Sequence, residues 1–505
     1  MLKKVSKQTI LLLVILLVAS FFRFYNLNGV NPLPPGLYPD EAMNGNNALE
    51  ALDTTSSADG LKIFYPENNG REGLFINIQA LFVKIFGNYP WTLRLPSAIV
   101  GVLTVLGIYF FGTTLFNNSS IGLLSSFFTA ISFWHINFSR IGFRAIMAPF
   151  FLVWACYLLI LAVRRNNTLN KPLHADHPSW LLAAFGGLVY GAGFYTYIAY
   201  RGTPLFILTI FFIYWLKNNR RQDVWEVFRV FSLFAFIAIL PFIGYFTQNP
   251  QDFLGRTSQI SVFNSTTPLK DLGVNILKTL GMFNFAGDYN WRHNFSGKPE
   301  LYWPIGVVFL FGLFYGLKNL FKKTAREFLV LFSWLAIAAA PVVVSNEGIP
   351  HALRSILMIP AVFIFAGAGA YKLFEISRNK FSGFYRRHDE LVKNSFILIS
   401  ACLIVQTYNY YFLEWGQNQN VKSAFNQNYV DLGQELNSLP KDVMKYVIVE
   451  AGGTDVRGIP MPAQTVMFIT DTFTPKKQAE KNIHYLLPGQ EKDRSENNAL
   501  YFYLK

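Results

Sequence analysis

The sequence predicts a polytopic α-helical membrane protein with a small α/β domain at its C-terminal end, and three observations predict it. First, 52% of the 505 residues are hydrophobic and only 15% are charged, where soluble domains carry about 25% charged residues. Second, apolar stretches of bilayer-spanning length recur, as at 96–116, 121–136, 145–163, 303–317 and 395–413. Third, the basic residues cluster in short loops between those stretches, on alternate sides.

Hydropathy places about eleven spans, at 9–26, 95–116, 121–138, 145–163, 179–198, 203–216, 227–246, 302–319, 327–344, 352–374 and 395–413. The first follows Lys3, Lys4 and Lys7 and is followed by Arg23, Phe24 and Tyr25 rather than by a small-residue cleavage site, so it reads as an uncleaved span. Four loops are basic. They hold Arg164, Arg165 and Lys171; Lys217, Arg220 and Arg221; Lys318, Lys322, Lys323 and Arg326; and Lys372, Arg378, Lys380, Arg386, Arg387 and Lys393. This alternation puts the N-terminus in the cytoplasm, and an odd number of spans puts the C-terminal tail outside a plasma (cytoplasmic) membrane.

The domain boundaries follow. Residues 1–413 form the membrane domain, with outer segments at 27–94 and 247–301, and residues 414–505 form the outer C-terminal domain. Within the tail, 421–436 reads as a helix and 445–450 and 465–470 as short strands, with Gly452-Gly453 marking a turn.

Several function classes fall away. The net charge of +14 could suggest nucleic acid, but the loop placement of the basic residues assigns it to membrane orientation, with the lipid bilayer as partner. Cys156 and Cys402 both lie in apolar runs, which excludes a disulfide scaffold and a multi-cysteine metal cluster. His174-Ala175-Asp176-His177 has metal-like residue types, but it falls in a cytoplasmic loop and lacks a fourth ligand. Triplets such as Asn264-Ser265-Thr266 are short enough to arise by chance, and no GxxxxGK[ST] loop argues for direct nucleotide use.

The polar residues that carry chemistry gather in the outer segments. The first holds Pro39-Asp40-Glu41, then Asn69-Gly70-Arg71-Glu72-Gly73, then Arg94-Leu95-Pro96-Ser97 at the start of the second span, with a short amphipathic helix expected over 48–52. Taken alone, an Asp-Glu pair is a solvated loop pair or a helix N-terminal charge, and Arg94 is an interfacial anchor. Arg140 and Arg144, in a short outer turn, could serve a binding site or anchor the interface. Asp288, Asn290, Trp291, Arg292 and His293 would suit a polar pocket, although a structured surface loop is the plainer reading.

In combination these stretches resemble the protein O-mannosyltransferase superfamily, which includes the bacterial lipid A aminoarabinose transferases. The resemblance runs from Arg23 through Arg94-Leu95-Pro96-Ser97 and covers roughly residues 10–200. It continues more loosely through Gly287-Asp288, Arg292-His293-Asn294, Gly297 and Pro350-His351-Ala352-Leu353-Arg354-Ser355. It implies the GT-C fold and transfer of a sugar from a polyprenyl-phosphate carrier on the outer side of the membrane. Two departures stand out. The extra outer domain of the eukaryotic enzymes is missing, so a protein acceptor is not implied over a lipid or glycan; and Arg71 stands where the aminoarabinose transferases carry a lysine before prolines.

By that resemblance Asp40 is the catalytic base, and Glu41 orients the loop or binds sugar or acceptor. The reaction explains the residue types. An acceptor hydroxyl or amine loses its proton as it attacks the anomeric carbon, and a carboxylate can take it. The departing phosphomonoester gains charge that fixed cations stabilise, and arginine holds two phosphate oxygens at once. Arg71, Arg94 and Arg354 are the candidates, with His351 as hydrogen-bond donor; Arg140, Arg144, Asp288 and Arg292 are candidate substrate contacts. A monophosphate donor can be served by these cations alone, so a divalent metal is possible but not indicated and no metal ligand is assigned. The alternative class is a transporter or a flippase for lipid-linked sugars, which would want ionisable residues near mid-bilayer and two similar halves. A diphosphate-dependent oligosaccharyltransferase or polymer ligase fits the Arg-Leu-Pro-Ser context less well.

Overall fold

A computed structural model describes residues 6–53, 60–169, 178–217, 221–253, 261–322, 326–490 and 499–505; the His174–His177 stretch, Lys171, Arg220 and Lys323 lie outside them. In chain order the helices of the first part are α1 (Lys7–Phe24), α2 (Pro39–Leu52), α3 (Leu74–Phe86), α4 (Pro90–Phe116), α5 (Ser119–Ala130), α6 (Phe133–Phe138), α7 (Met147–Leu169) and α8 (Pro178–Ala192). Then come α9 (Thr203–Lys217), α10 (Arg221–Gln248), α11 (Pro268–Gly281), α12 (Trp303–Asn319), α13 (Arg326–Val343), α14 (Ile359–Lys380), α15 (Ser382–Arg387) and α16 (Asp389–Tyr408). The last runs on into a π-helical turn at Asn409–Trp415.

Among the described residues, eight helices are long and apolar enough to cross a bilayer: Lys7–Phe24, Pro90–Phe116, Arg144–Asn166, Ile198–Lys217, Arg221–Gln248, Arg326–Val343, Ile356–Lys380 and Asp389–Trp415. The remaining three expected spans are the shorter helices α5, α8 and α12. The stretch 121–138 is not one helix. It breaks after Ala130, and the Ser132 side chain accepts from the His135 backbone N–H to start α6 afresh. Outward-facing apolar side chains such as Leu17 on α1 (70% exposed) and Ile397 on α16 (67%) suit lipid, not water. Where α12 crosses α14 the backbones touch through glycine: a Cβ on Gly369 would lie 2.1 Å from the Val308 carbonyl oxygen.

The helix expected at 48–52 begins much earlier, at Pro39. Proline is pre-organised for the first helical position, and the acids at Asp40 and Glu41 suit the positive end of the helix. Two short strands, β1 (Phe64–Tyr65) and β2 (Arg71–Glu72), pair antiparallel beside it.

The tail is α/β. It contains α17 (Gln419–Ala424), α18 (Gln427–Ser438), β3 (Lys445–Val449), β4 (Asp455–Val456), β5 (Ile459–Pro460), α19 (Ala463–Thr470), α20 (Pro475–Lys481), β6 (Ile483–Leu486) and β7 (Leu500–Leu504). Its sheet is parallel, with β3 between β6 and β7; Lys445 aligns with Ile483 on one side and with Leu500 on the other. Two expectations are corrected. The helix at 421–436 is interrupted where Asn426 takes a left-handed conformation (φ 52°). The strand at 465–470 is the helix α19, whose β-branched and aromatic residues are buried nearly all round, so no alternation betrays its period.

The long loops and the tail meet at one end of the bundle. The Trp415 indole donates to the Trp291 carbonyl (3.0 Å), and the Ala352 N–H donates to Asp288 (2.8 Å). Helix α2 joins two cores there: Met43 packs with Val447, Val466 and Ile483 of the tail, and Leu37 and Ala42 pack with Leu93, Val430 and Phe468.

Candidate functional site

At this end lies a cavity of about 400 Å³ with three walls. Tyr38 and Asp40 from the start of α2, with Phe143, form the first. The loop 288–293 forms the second, and the loop 347–354 before α14 forms the third. Seven of the residues singled out by sequence line it: Asp40, Asp288, Asn290, Arg292, His293, His351 and Arg354.

Asp40 sits in the first turn of α2, and its Oδ1 accepts from the Asn68 side-chain amide at 2.8 Å. The Arg292 guanidinium lies over the Tyr38 ring, 3.7 Å from its centroid, and its Nε is buried without a hydrogen-bond partner. Arg354 pairs with Glu347 (2.7 Å) and also bonds the Glu347 carbonyl and Ser345. Asp288 organises the second wall. Its Oδ1 accepts from the Asn290 N–H (2.8 Å), and its Oδ2 accepts from His293 Nδ1 (2.9 Å) and the Ala352 N–H (2.8 Å). Burial alone would raise its pKa, but the His293 hydrogen bond and the neighbouring imidazoles bring it below the ordinary carboxylate value. Behind it, Glu300 accepts from the Asp288 N–H, and burial holds that carboxyl well above its usual range.

Five further candidates lie behind the first wall. Glu41 is fully buried and takes Arg94 at both oxygens (2.9 and 3.0 Å) and the Gly142 N–H (2.6 Å). Arg94 directs its remaining donors to the carbonyls of Pro34 (2.5 Å) and Gly36 (2.9 Å). Arg71 bonds Asn44 (2.7 Å), Asn47 and the Glu67 carbonyl, and burial pushes its guanidinium down to about 10. Arg140 holds the carbonyls of Phe22, Tyr25 and Leu33. Arg144 and Arg201 both bind Glu72 at 3.0 Å. Arg94, Arg140, Arg144 and Arg201 tie the loop 27–94 to the ends of the bundle helices, and these hydrogen bonds run to protein acceptors rather than into the cavity.

Sequence reasoning missed Tyr38 and Glu347. The signal for Tyr38 was available, since it immediately precedes the Pro39-Asp40-Glu41 stretch. Glu347 stands in a loop with no distinguishing pattern.

Fold and cavity together define a class: a multi-pass membrane protein of the GT-C fold, with a polar cavity among the loops at one end of the bundle. Residues 74–245 match the family described as dolichyl-phosphate-mannose-protein mannosyltransferase. A Bacillus subtilis protein, YkcB, which carries a mannosyltransferase's name, is 29% identical over 211 residues, covering 41% of this chain and 26% of YkcB. The chain thus spans about a quarter of that relative's length.

Among solved structures, the Archaeoglobus fulgidus oligosaccharyltransferase in its apo form superposes with a TM-score of 0.60 at 13% identity, covering 96% of this chain and 65% of its own. ArnT from Cupriavidus metallidurans, bound to undecaprenyl phosphate, superposes with a TM-score of 0.55 at 12% identity, covering 98% of this chain and 89% of its own. The family match over 74–245 and these superpositions bear out the resemblance to mannosyltransferases of the GT-C fold, and at such identities the structural likeness is one of fold.

Proposed function

We propose that the chain is an integral-membrane glycosyltransferase that moves one sugar from a polyprenyl-phosphate carrier to a hydroxyl or amine of a protein, lipid or glycan, on the outer side of the membrane. One observation carries this reading: Asp40 opens into the same cavity as Arg292, His351 and Arg354. Its volume lies at the lower end of the usual range for small-molecule sites, roughly 300–1,000 Å³, and suits a monosaccharide. The family match and the undecaprenyl phosphate bound by the ArnT relative supply the donor class.

In this reading Asp40 accepts the acceptor's proton as its oxygen or nitrogen attacks the anomeric carbon. The bond from that carbon to the phosphate oxygen breaks, and its electron pair leaves with the carrier phosphate. A single displacement with one base inverts the anomeric centre. Arg292 and Arg354, both on the cavity wall, hold the departing phosphate, and His351 can donate a hydrogen bond. Glu347 is 65% exposed and can release Arg354 to a stronger anion. Glu41, Arg71, Arg94, Arg140 and Arg144 act through the walls they brace, and Asp288 through the loop it folds.

The test is Asp40→Asn, offered radiolabelled polyprenyl-phosphate hexoses and pentoses with membrane extract as acceptor. Loss of a positioned base costs about 10²–10⁴-fold in rate, so turnover falls by that factor while donor binding persists. Near-normal turnover would overturn the base assignment. Movement of intact donor across vesicles without release of free polyprenyl phosphate would favour a flippase instead.

A further inference from the structure

We propose that Asp288, His293 and His351 form a binding site for one divalent transition-metal ion of the zinc class, on the cavity wall facing Asp40. A carboxylate oxygen and one nitrogen from each imidazole lie within 4.8 Å of one another. Asp288 Oδ2 is 2.9 Å from His293 Nδ1 and 3.8 Å from His351 Nδ1. Ligands at about 2.0–2.2 Å from a tetrahedral zinc stand roughly 3.3–3.6 Å apart, so the two measured separations bracket that spacing. The imidazole rings lie face to face at 4.9 Å, inclined by 32°.

A purely structural role accounts for only part of this arrangement. The Asp288–His293 hydrogen bond fixes one ring, and the backbone donors of Asn290 and Ala352 complete the carboxylate. The second imidazole is left over. His351 Nδ1 receives the Arg354 N–H at 3.5 Å, which places a lone pair on the nitrogen that faces Asp288. In that tautomer two acceptors face each other across 3.8 Å, and a cation between them would satisfy both. In the other tautomer the N–H faces the carboxylate at 3.8 Å, too far for a hydrogen bond.

The surroundings fit a cation. Two nitrogens and one oxygen suit zinc or cobalt over magnesium or calcium. Asp288 is oriented by backbone donors, as ligating carboxylates are. Three protein ligands leave a coordination position open toward the cavity, where water or a phosphate oxygen could bind. The ion would displace the His293 Nδ1 proton. Counting Asp40, Asp288 and Glu347 against Arg292 and Arg354, the lining is negative by one without it.

This inference does not rest on the transferase reading, and the experiment reads binding alone. Purified, untagged full-length protein is stripped with chelator and titrated with zinc by calorimetry and with cobalt(II) by visible absorption. The expected result is one equivalent bound, with cobalt bands of low-coordinate N/O ligation. His351→Ala and His351→Gln should each weaken binding by about a hundredfold or more, while His388→Ala leaves it unchanged. The Gln variant retains a polar side chain of similar reach, and its elution profile and melting curve confirm folding. Absence of stoichiometric binding, or binding that survives in His351→Gln, would overturn the site.

Discussion

Removing either half of the Glu41–Arg94 pair leaves a charge stranded where no water reaches it, since the side chains are 0% and 1% exposed. Losing one partner of such a pair costs about 3–5 kcal/mol, whereas replacing both with apolar groups of similar volume can be nearly neutral. Glu41→Gln and Arg94→Met are each expected to lower the melting temperature in detergent sharply, and the double variant less than the sum of the two. Additive losses would show that the pair is not coupled. The same chemistry explains why the use of such an arginine is not legible in sequence. Arginine suits phosphate because of its planar fork, and that fork also suits backbone carbonyls at the ends of helices. Arg94 at Pro34 and Gly36, and Arg140 at Phe22, Tyr25 and Leu33, use it that way. Spacing along the chain does not distinguish the two uses.

At the scale of elements, hydropathy located the helices because length and apolarity alone decide what can cross a bilayer. It was weakest where a polar side chain restarts a helix, as Ser132 does before α6. The tail was harder: α19 is buried on most sides, so neither period 2 nor period 3.6 shows in its polarity. The cavity was legible to the extent that Asp40, Asp288, Arg292, His351 and Arg354 stand in recognisable stretches; that three separate loops bring them together was not written in any one of them. Helix crossings supply a test here. An added methyl at Gly369 meets the Val308 carbonyl and the Gly312 backbone at 2.1–2.9 Å. Gly369→Ala should therefore force α12 and α14 apart and destabilise by about 1–3 kcal/mol. Gly383 in α15 has nothing within 4 Å of its Cβ position, so Gly383→Ala should be neutral or stabilising by up to about 1 kcal/mol. Thermal melts of the two variants that moved in parallel would exclude close packing as the cause.

Across the whole molecule, the aim of Asp40 depends on residues more than four hundred positions away. Helix α2 has bundle side chains on one flank and the tail on the other. Arg457 bonds Glu50 twice at 2.8 Å and Glu67 at 2.7 Å, Thr465 donates to the Leu37 carbonyl at 3.0 Å, and Asn46 donates to the Gln464 carbonyl at 3.0 Å. Between them the Phe468 ring presses so closely on Gly45 that a Cβ there would lie 2.5 Å away. Replacing Phe468 with alanine opens a cavity at that contact and costs about 3–5 kcal/mol. The loss falls on the docking of the tail against α2 and the first turn of α4, because the core among the spans is built from other residues. The outcome should separate the two halves of the proposed reaction. Turnover falls, since Asp40 is no longer held toward the acceptor, while donor affinity changes little, since Arg292 and Arg354 stand on the two walls that Phe468 does not touch. A Phe468→Ala protein that is properly folded in its membrane portion, binds donor normally and still transfers at the original rate would show that α2 holds its position without the tail.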